Sequence, residues 1–129
     1  MIAVDTDVVV RLVTNDDPVQ ARRAARVFEA EDVLLPKTVL LETEWVLRYS
    51  YGLARPNILG ALRGLLGLAR VTVEDSASVA RALKWYERGL DLADALHLAS
   101  SRPARSFVTF DRNLVRRAKA IAEIPVGPV

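Results

Sequence analysis

The chain has 129 residues, 51% hydrophobic and 26% charged, which suits one globular domain with a sizeable core and excludes a low-complexity or disordered chain. It has no cysteine and one histidine, His97, which removes disulfides, thiolate metal sites and histidine-built zinc sites. Net charge is only +2, yet Arg102, Arg105, Arg112, Arg116, Arg117 and Lys119 crowd one stretch against a single acid, Asp111. Such a stretch is either a solvated helix face or a surface for a polyanion. No apolar run is long enough to span a membrane, and "MIAVDTDVVV" lacks the basic flank and cleavage site of a signal peptide, so the expectation is a cytoplasmic protein.

In chain order, "IAVD" reads as a short buried strand and "TDVVVRLVT" as a helix capped by Asp5 or Thr6. "NDDP" is a turn, with Pro18 at the first position of a second helix whose face is Ala21, Ala24, Ala25 and Phe28. "VLLP" is a second strand. A third helix is predicted from about Thr38 to Tyr51, ended by Gly52. A fourth follows Pro56, with Ile58, Leu62, Leu65 and Leu66 as its stripe. "RVTV" is a third strand, and a fifth helix, capped by Asp75 or Ser76, carries Val79, Ala82, Leu83 and Tyr86 and closes at Gly89. "GLDLADALHLAS" is a sixth helix, "SFVTF" a fourth strand, "DRNLVRRAKA" a short helix and "IPVGPV" a last edge strand. Strands alternating with helices predict an α/β fold with a parallel sheet covered on both faces. Ligands of such sheets bind beyond the carboxyl ends of the strands.

The acids are the informative residues. Asp5 closes the first strand and Asp111 follows the fourth, each either an N-cap or a site residue. Glu42 has Val39, Trp45, Val46 and Tyr49 at helical spacing and no cation in reach, which sets it on the apolar side without a local partner. Glu44, with Arg48 four residues on, reads as a surface ion pair. Asp7 has the same relation to Arg11. Asp91 suits the cap of the sixth helix, where a carboxylate is favoured electrostatically. Asp94, one turn inside an apolar helix, is not explained by capping, because burying an ionised carboxylate is costly unless something compensates it. His97, a turn further on, reads as a satisfied core residue. Four carboxylates at one sheet edge would repel each other and raise one another's pKa. One or two hard divalent cations, Mg²⁺ or Mn²⁺, would relieve this and supply phosphodiester chemistry, with the basic stretch holding a nucleic-acid backbone.

At these residues the sequence resembles the PIN-domain ribonucleases, specifically the VapC toxins of toxin–antitoxin systems. The resemblance spans nearly the whole chain and rests on "VDTDVVVRLV", "LLETEWVLRYSYGL" with "ILGALRGLL", "DLADALHLA" and "FVTFDRNL" in that order. It implies a single PIN domain over residues 1–129, a three-layer α/β/α fold with a central four- to five-stranded parallel sheet. It implies Mg²⁺ or Mn²⁺ bound by Asp5, Glu42, Asp94 and Asp111, with Asp91 as an additional acid. Thr6 and Thr109 match polar positions near the site. Position 7, often Asn in relatives, is Asp7 here. The resemblance also implies a homodimer, a VapB-type antitoxin partner, and cleavage of structured RNA such as tRNA or ribosomal RNA loops. Arg112 or Arg116 is positioned to grip phosphate.

Two other readings compete with the nuclease. "DTD" after a first strand is similar to the nucleophile motif of haloacid-dehalogenase-like phosphatases, but the Gly-Thr that normally follows is replaced by "VVVRL". The other is a PIN-like scaffold that binds RNA or protein without cutting; retention of all four acids argues against it.

Overall fold

The structure is a computed structural model that describes residues 1–129. It divides into two compact units, Met1–Ser76 and Ala77–Val129. No helix is long and apolar enough to cross a membrane.

The first unit runs β1 (Ile2–Ala3), α1 (Thr6–Thr14), α2 (Pro18–Ala30), β2 (Val33–Leu35), α3 (Lys37–Tyr49), α4 (Arg55–Leu66) and β3 (Val71–Val73). Its sheet is parallel in the order β1-β2-β3, with Ile2 opposite Val33 and Leu34 opposite Thr72. Because β2 is flanked on both edges, its side chains are the ones that disappear: Val33 and Leu35 are each 0% exposed. They form a core with Val4, Val9, Phe28 and Leu65. The first strand was expected to be buried, but Ile2 and Ala3 are exposed. β1 is a two-residue edge strand, and only Val4 beyond it enters the core.

Local chemistry sets the helix ends here. Asp5 caps α1, accepting from the Thr6 amide at 2.7 Å, and Asn15 in the left-handed region (φ 53°) closes it. Asp17 caps α2 by accepting from Gln20 N at 3.1 Å, and Pro18 fills its first turn. Arg11, expected to pair with Asp7, turns instead to Asp16 at 3.0 Å, Gln20 and Tyr51. The α1–α2 turn presents Asp16 to it, and the Tyr51 hydroxyl donates to the same carboxylate. With the Tyr51 and Thr14 hydroxyls and Arg11 all bonded to it, Asp16 titrates below the usual carboxylate range.

The second unit carries α5 (Ser76–Glu87, from the last residue of the first unit onward), α6 (Leu92–Ser100), β4 (Phe107–Thr109), α7 (Arg112–Ala118) and β5 (Val126–Pro128). β4 and β5 pair in parallel, Phe107 opposite Val126 and Thr109 opposite Pro128. Proline lacks the amide donor of a central strand, so its place on β5 fits the expected edge strand. α5 buries Val79, Ala82, Leu83, Trp85 and Tyr86, and α6 buries Leu92, Ala95, Leu96, Leu98 and Ala99. The Ser78 hydroxyl donates to the Ala99 carbonyl at 3.2 Å.

The mixed α/β class and the parallel pairing match the sequence reading, but the strands form two sheets, one of three strands and one of two, rather than a single sheet of four to five. A run such as "SFVTF" marks a strand by its composition. It does not say which strand will be its neighbour, and strands of two or three residues offer few ladder bonds on either side.

Candidate active site

In the first unit, α1 leaves the carboxyl end of β1 and α3 leaves that of β2. This is the sheet edge where α/β proteins bind ligands. Asp5 is exposed and uses one carboxylate oxygen, Oδ1, as a cap. Its neighbour Thr6 is 4% exposed, and the Thr6 hydroxyl donates to Oε1 of Glu42. The structure therefore brings together three of the residues singled out from sequence, with Thr6 as the connector.

Glu42 was expected on the apolar side of its helix and Glu44 on the surface. The two are exchanged. Glu42, Trp45 and Tyr49 face outward, whereas Leu40, Thr43, Glu44 and Leu47 form the buried face. Glu44 is 1% exposed and meets Arg48 through both carboxylate oxygens, at 3.1 Å to Nε and 3.2 Å to a terminal nitrogen. Two stripes compete on this helix, and the one with the smaller, more regular residues wins the core. The spacing Leu40–Thr43–Glu44–Leu47 was the available signal.

In the second unit, Asp91 caps α6 by accepting from Asp94 N at 3.3 Å. Asp94 follows one turn later, half-buried between Ala93 and Ala95. Its carboxyl is pushed up from the usual range, first by burial, then by the negative charges of Asp91 and Asp111, with His97 acting in the opposite direction. Asp91 and Asp111 thus both lie within electrostatic reach of Asp94. His97 is exposed rather than buried, because α6 turns Leu96 and Leu98 inward on either side of it. Asp111 caps α7 with Oδ1, accepting from Asn113 N at 3.0 Å and Leu114 N at 3.1 Å, while its own amide donates to the Thr109 hydroxyl at 3.0 Å. Capping and site membership, posed as alternatives for Asp5 and Asp111, are compatible: a carboxylate that caps through one oxygen keeps its other lone pairs.

Arg112 and Arg116 are both exposed on α7, and Arg116 donates to the Asn113 side chain at 2.6 Å. Arg117, named from the sequence only as a member of the basic stretch, donates to the Gly89 carbonyl at 2.9 Å.

The donor chemistry suits a hard divalent cation. Every candidate ligand is a carboxylate or hydroxyl oxygen, and Asp94 carries the like-charge strain that a cation relieves. No group of three or more His, Cys, Asp or Glu side chains is gathered closely enough to hold an ion.

A comparison with curated proteins returned no match. PIN domains are generally metal-dependent nucleases and usually use Mg²⁺ or Mn²⁺. A profile of the PIN domain matches residues 2–120, so the chain belongs to the PIN domain family and has its nuclease fold.

Proposed function

We propose that residues 1–129 form a single PIN domain that acts as a metal-dependent endoribonuclease, the VapC-type toxin of a toxin–antitoxin pair, cutting structured RNA such as tRNA or ribosomal RNA in the cytoplasm. One observation carries the reading: a half-buried Asp94 held near Asp91 and Asp111 on an otherwise apolar helix, an arrangement that costs stability and is explained by chemistry. Asp5, Glu42, Asp94 and Asp111 would hold Mg²⁺ or Mn²⁺, with Asp91 as an additional donor. When bound, the ion supplies Lewis-acid stabilisation of charge on the scissile phosphate.

The remaining work falls to the chain's own groups. Thr6 orients Glu42 through its hydroxyl hydrogen bond. The caps at Asp5, Asp91 and Asp111 fix those carboxylates against helix N-termini. Thr109 fixes the turn into Asp111. Arg112 and Arg116 grip backbone phosphates, a contact that positions RNA without reading its sequence. Water attacks phosphorus in line and the bond to the 3′ oxygen breaks, leaving a 5′-phosphate and a 3′-hydroxyl.

The toxin role requires an antitoxin partner, and we propose a VapB-type protein that covers the acidic residues. We also propose a homodimer. Trp45 and Tyr49 support a protein-binding face on α3: they are 54% and 62% exposed, with ring centroids 5.1 Å apart.

End-mapping of bacterial RNA tests the reading. Purified protein with Mn²⁺ should create new 5′-phosphate ends that are absent with EDTA or with Asp94→Asn. Cleavage by Asp94→Asn at the wild-type rate would refute the site. RNA binding without any cleavage would leave a non-catalytic scaffold. Sedimentation of the wild type and Trp45→Glu tests the dimer, which should dissociate in the variant.

A further inference from the structure

A second feature of the Ala77–Val129 unit lies outside the acidic residues. Trp85, Arg88, Gly89, Leu90, Arg117 and Ile121 line a hollow of about 280 Å³. Trp85, Leu90 and Ile121 are its apolar side chains, its charged groups are two guanidiniums, and no acid lines it. The backbone is shaped for it. Gly89 takes φ +108°, a conformation that side-chain-bearing residues rarely adopt, and turns its carbonyl to one terminal nitrogen of Arg117 at 2.9 Å. That bond fixes Arg117 while using one of its five N–H donors. Arg88 is exposed and makes no ion pair or side-chain hydrogen bond, so its whole fork is uncommitted. Two other arginines of this unit, Arg81 and Arg102, are by contrast engaged, both with Glu123.

Two cations converging on a concave surface without a counter-charge make a receptor for an oxyanion, and guanidinium forks match phosphate geometry. The hollow is also placed for a substrate. Arg88 stands three residues before Asp91, and Arg117 lies six residues along α7 from Asp111, about 9 Å of helix.

We propose that Arg88 and Arg117 form an exosite that binds a backbone phosphate of the RNA substrate away from the cleavage point. This rests on the nuclease reading for the identity of the ligand. The shared chemistry is a phosphate oxyanion, and its alternative source is a free phosphate or mononucleotide.

The test measures binding of a fluorescein-labelled oligoribonucleotide in EDTA, so that cleavage is not needed, across a salt series. Arg88→Gln should weaken binding about fivefold and lower the log–log salt slope by about 0.7, the loss of one phosphate contact on a single strand. Arg88→Lys should keep the slope and part of the affinity, because the charge remains and the fork is lost. Arg117→Gln should behave like Arg88→Gln, with its melting curve checking that the bond to Gly89 was not needed for folding. Affinity and slope unchanged in Arg88→Gln would overturn the exosite.

Titrating inorganic phosphate against the Trp85 indole signal in a ¹⁵N spectrum separates the sources. A shifted signal together with Arg88-independent RNA binding would make the hollow a small-anion site and overturn the RNA assignment. The two readings fail separately. Arg88-dependent RNA binding without any RNA cleavage in Mn²⁺ supports the exosite and removes the nuclease, whereas cleavage and binding both indifferent to Arg88 do the reverse.

Discussion

Asp94 concentrates the tension in this protein. Its raised pKa means that the folded chain binds the proton more tightly than the unfolded chain does. Stability therefore falls as pH rises from the unfolded carboxylate value through the higher folded one, and the full penalty is present above that. Asp94→Asn removes the charge while keeping the shape. In the absence of metal the variant should melt above the wild type at pH 7. The gap should close as pH is lowered through the titration of Asp94, where the wild-type carboxyl becomes neutral too. Paired melting curves from pH 3 to 8 check this, and a gap independent of pH would show that the charge is not its source. Thr6 gives the complementary case. Thr6→Val loses the hydrogen bond to Glu42 and should cost about 1 kcal/mol in stability. On the proposed mechanism it should lower the cleavage rate more than that cost suggests, with Thr6→Ser restoring the rate.

At the scale of elements, α3 separates a structural acid, Glu44, from the proposed site acid, Glu42. Glu44 is 1% exposed and paired with Arg48, so Glu44→Gln leaves a guanidinium without its buried counter-charge. Breaking a fully buried pair costs about 3–5 kcal/mol. Arg48 is 34% exposed and reaches water, so the expected loss is smaller, about 2 kcal/mol. Glu42→Gln, on the exposed side, should cost about 1 kcal/mol or less yet abolish cleavage. Urea unfolding of the two variants beside an RNA assay distinguishes them, and a reversal of the two effects would exchange the roles assigned here. The same helix shows what a sequence hides. α1 was legible to the residue, Thr6 to Thr14, because its cap, its apolar run and the proline after the turn are all local signals. The candidate acids were legible as types and positions, since a carboxylate inside "LADALHLA" needs a reason. The facing of α3 was not, because Trp45, Val46 and Tyr49 outweigh Leu40, Thr43 and Leu47 in apolar size. Only the neighbouring elements decide which stripe they cover. Strand partnership was hidden for the same reason: it depends on residues far apart in sequence.

At the scale of the whole molecule, the proposal becomes a linkage between metal and folding. A cation that binds only the folded chain stabilises it according to its concentration over Kd, about 2.7 kcal/mol at a hundredfold excess. For a chain of 129 residues that corresponds to a rise in Tm on the order of 10 °C. Mn²⁺ added to metal-free protein should produce such a rise, EDTA should reverse it, and Asp5→Asn or Asp94→Asn should each remove most of it. The two directions at Asp94 then form a single thermodynamic argument. Without metal, the asparagine variant is the more stable protein, because it lacks a charge that burial and its neighbours penalise. With saturating Mn²⁺ the order inverts, because only the wild type converts that charge into binding energy. Melting curves of both proteins with and without Mn²⁺ provide all four corners of the cycle. An inversion would identify the acid as retained for the cation despite its cost to the apo fold. A wild type unmoved by millimolar Mn²⁺, while folded and free of antitoxin, would dissolve the metal assignment and leave the carboxylates to be explained by their capping bonds alone.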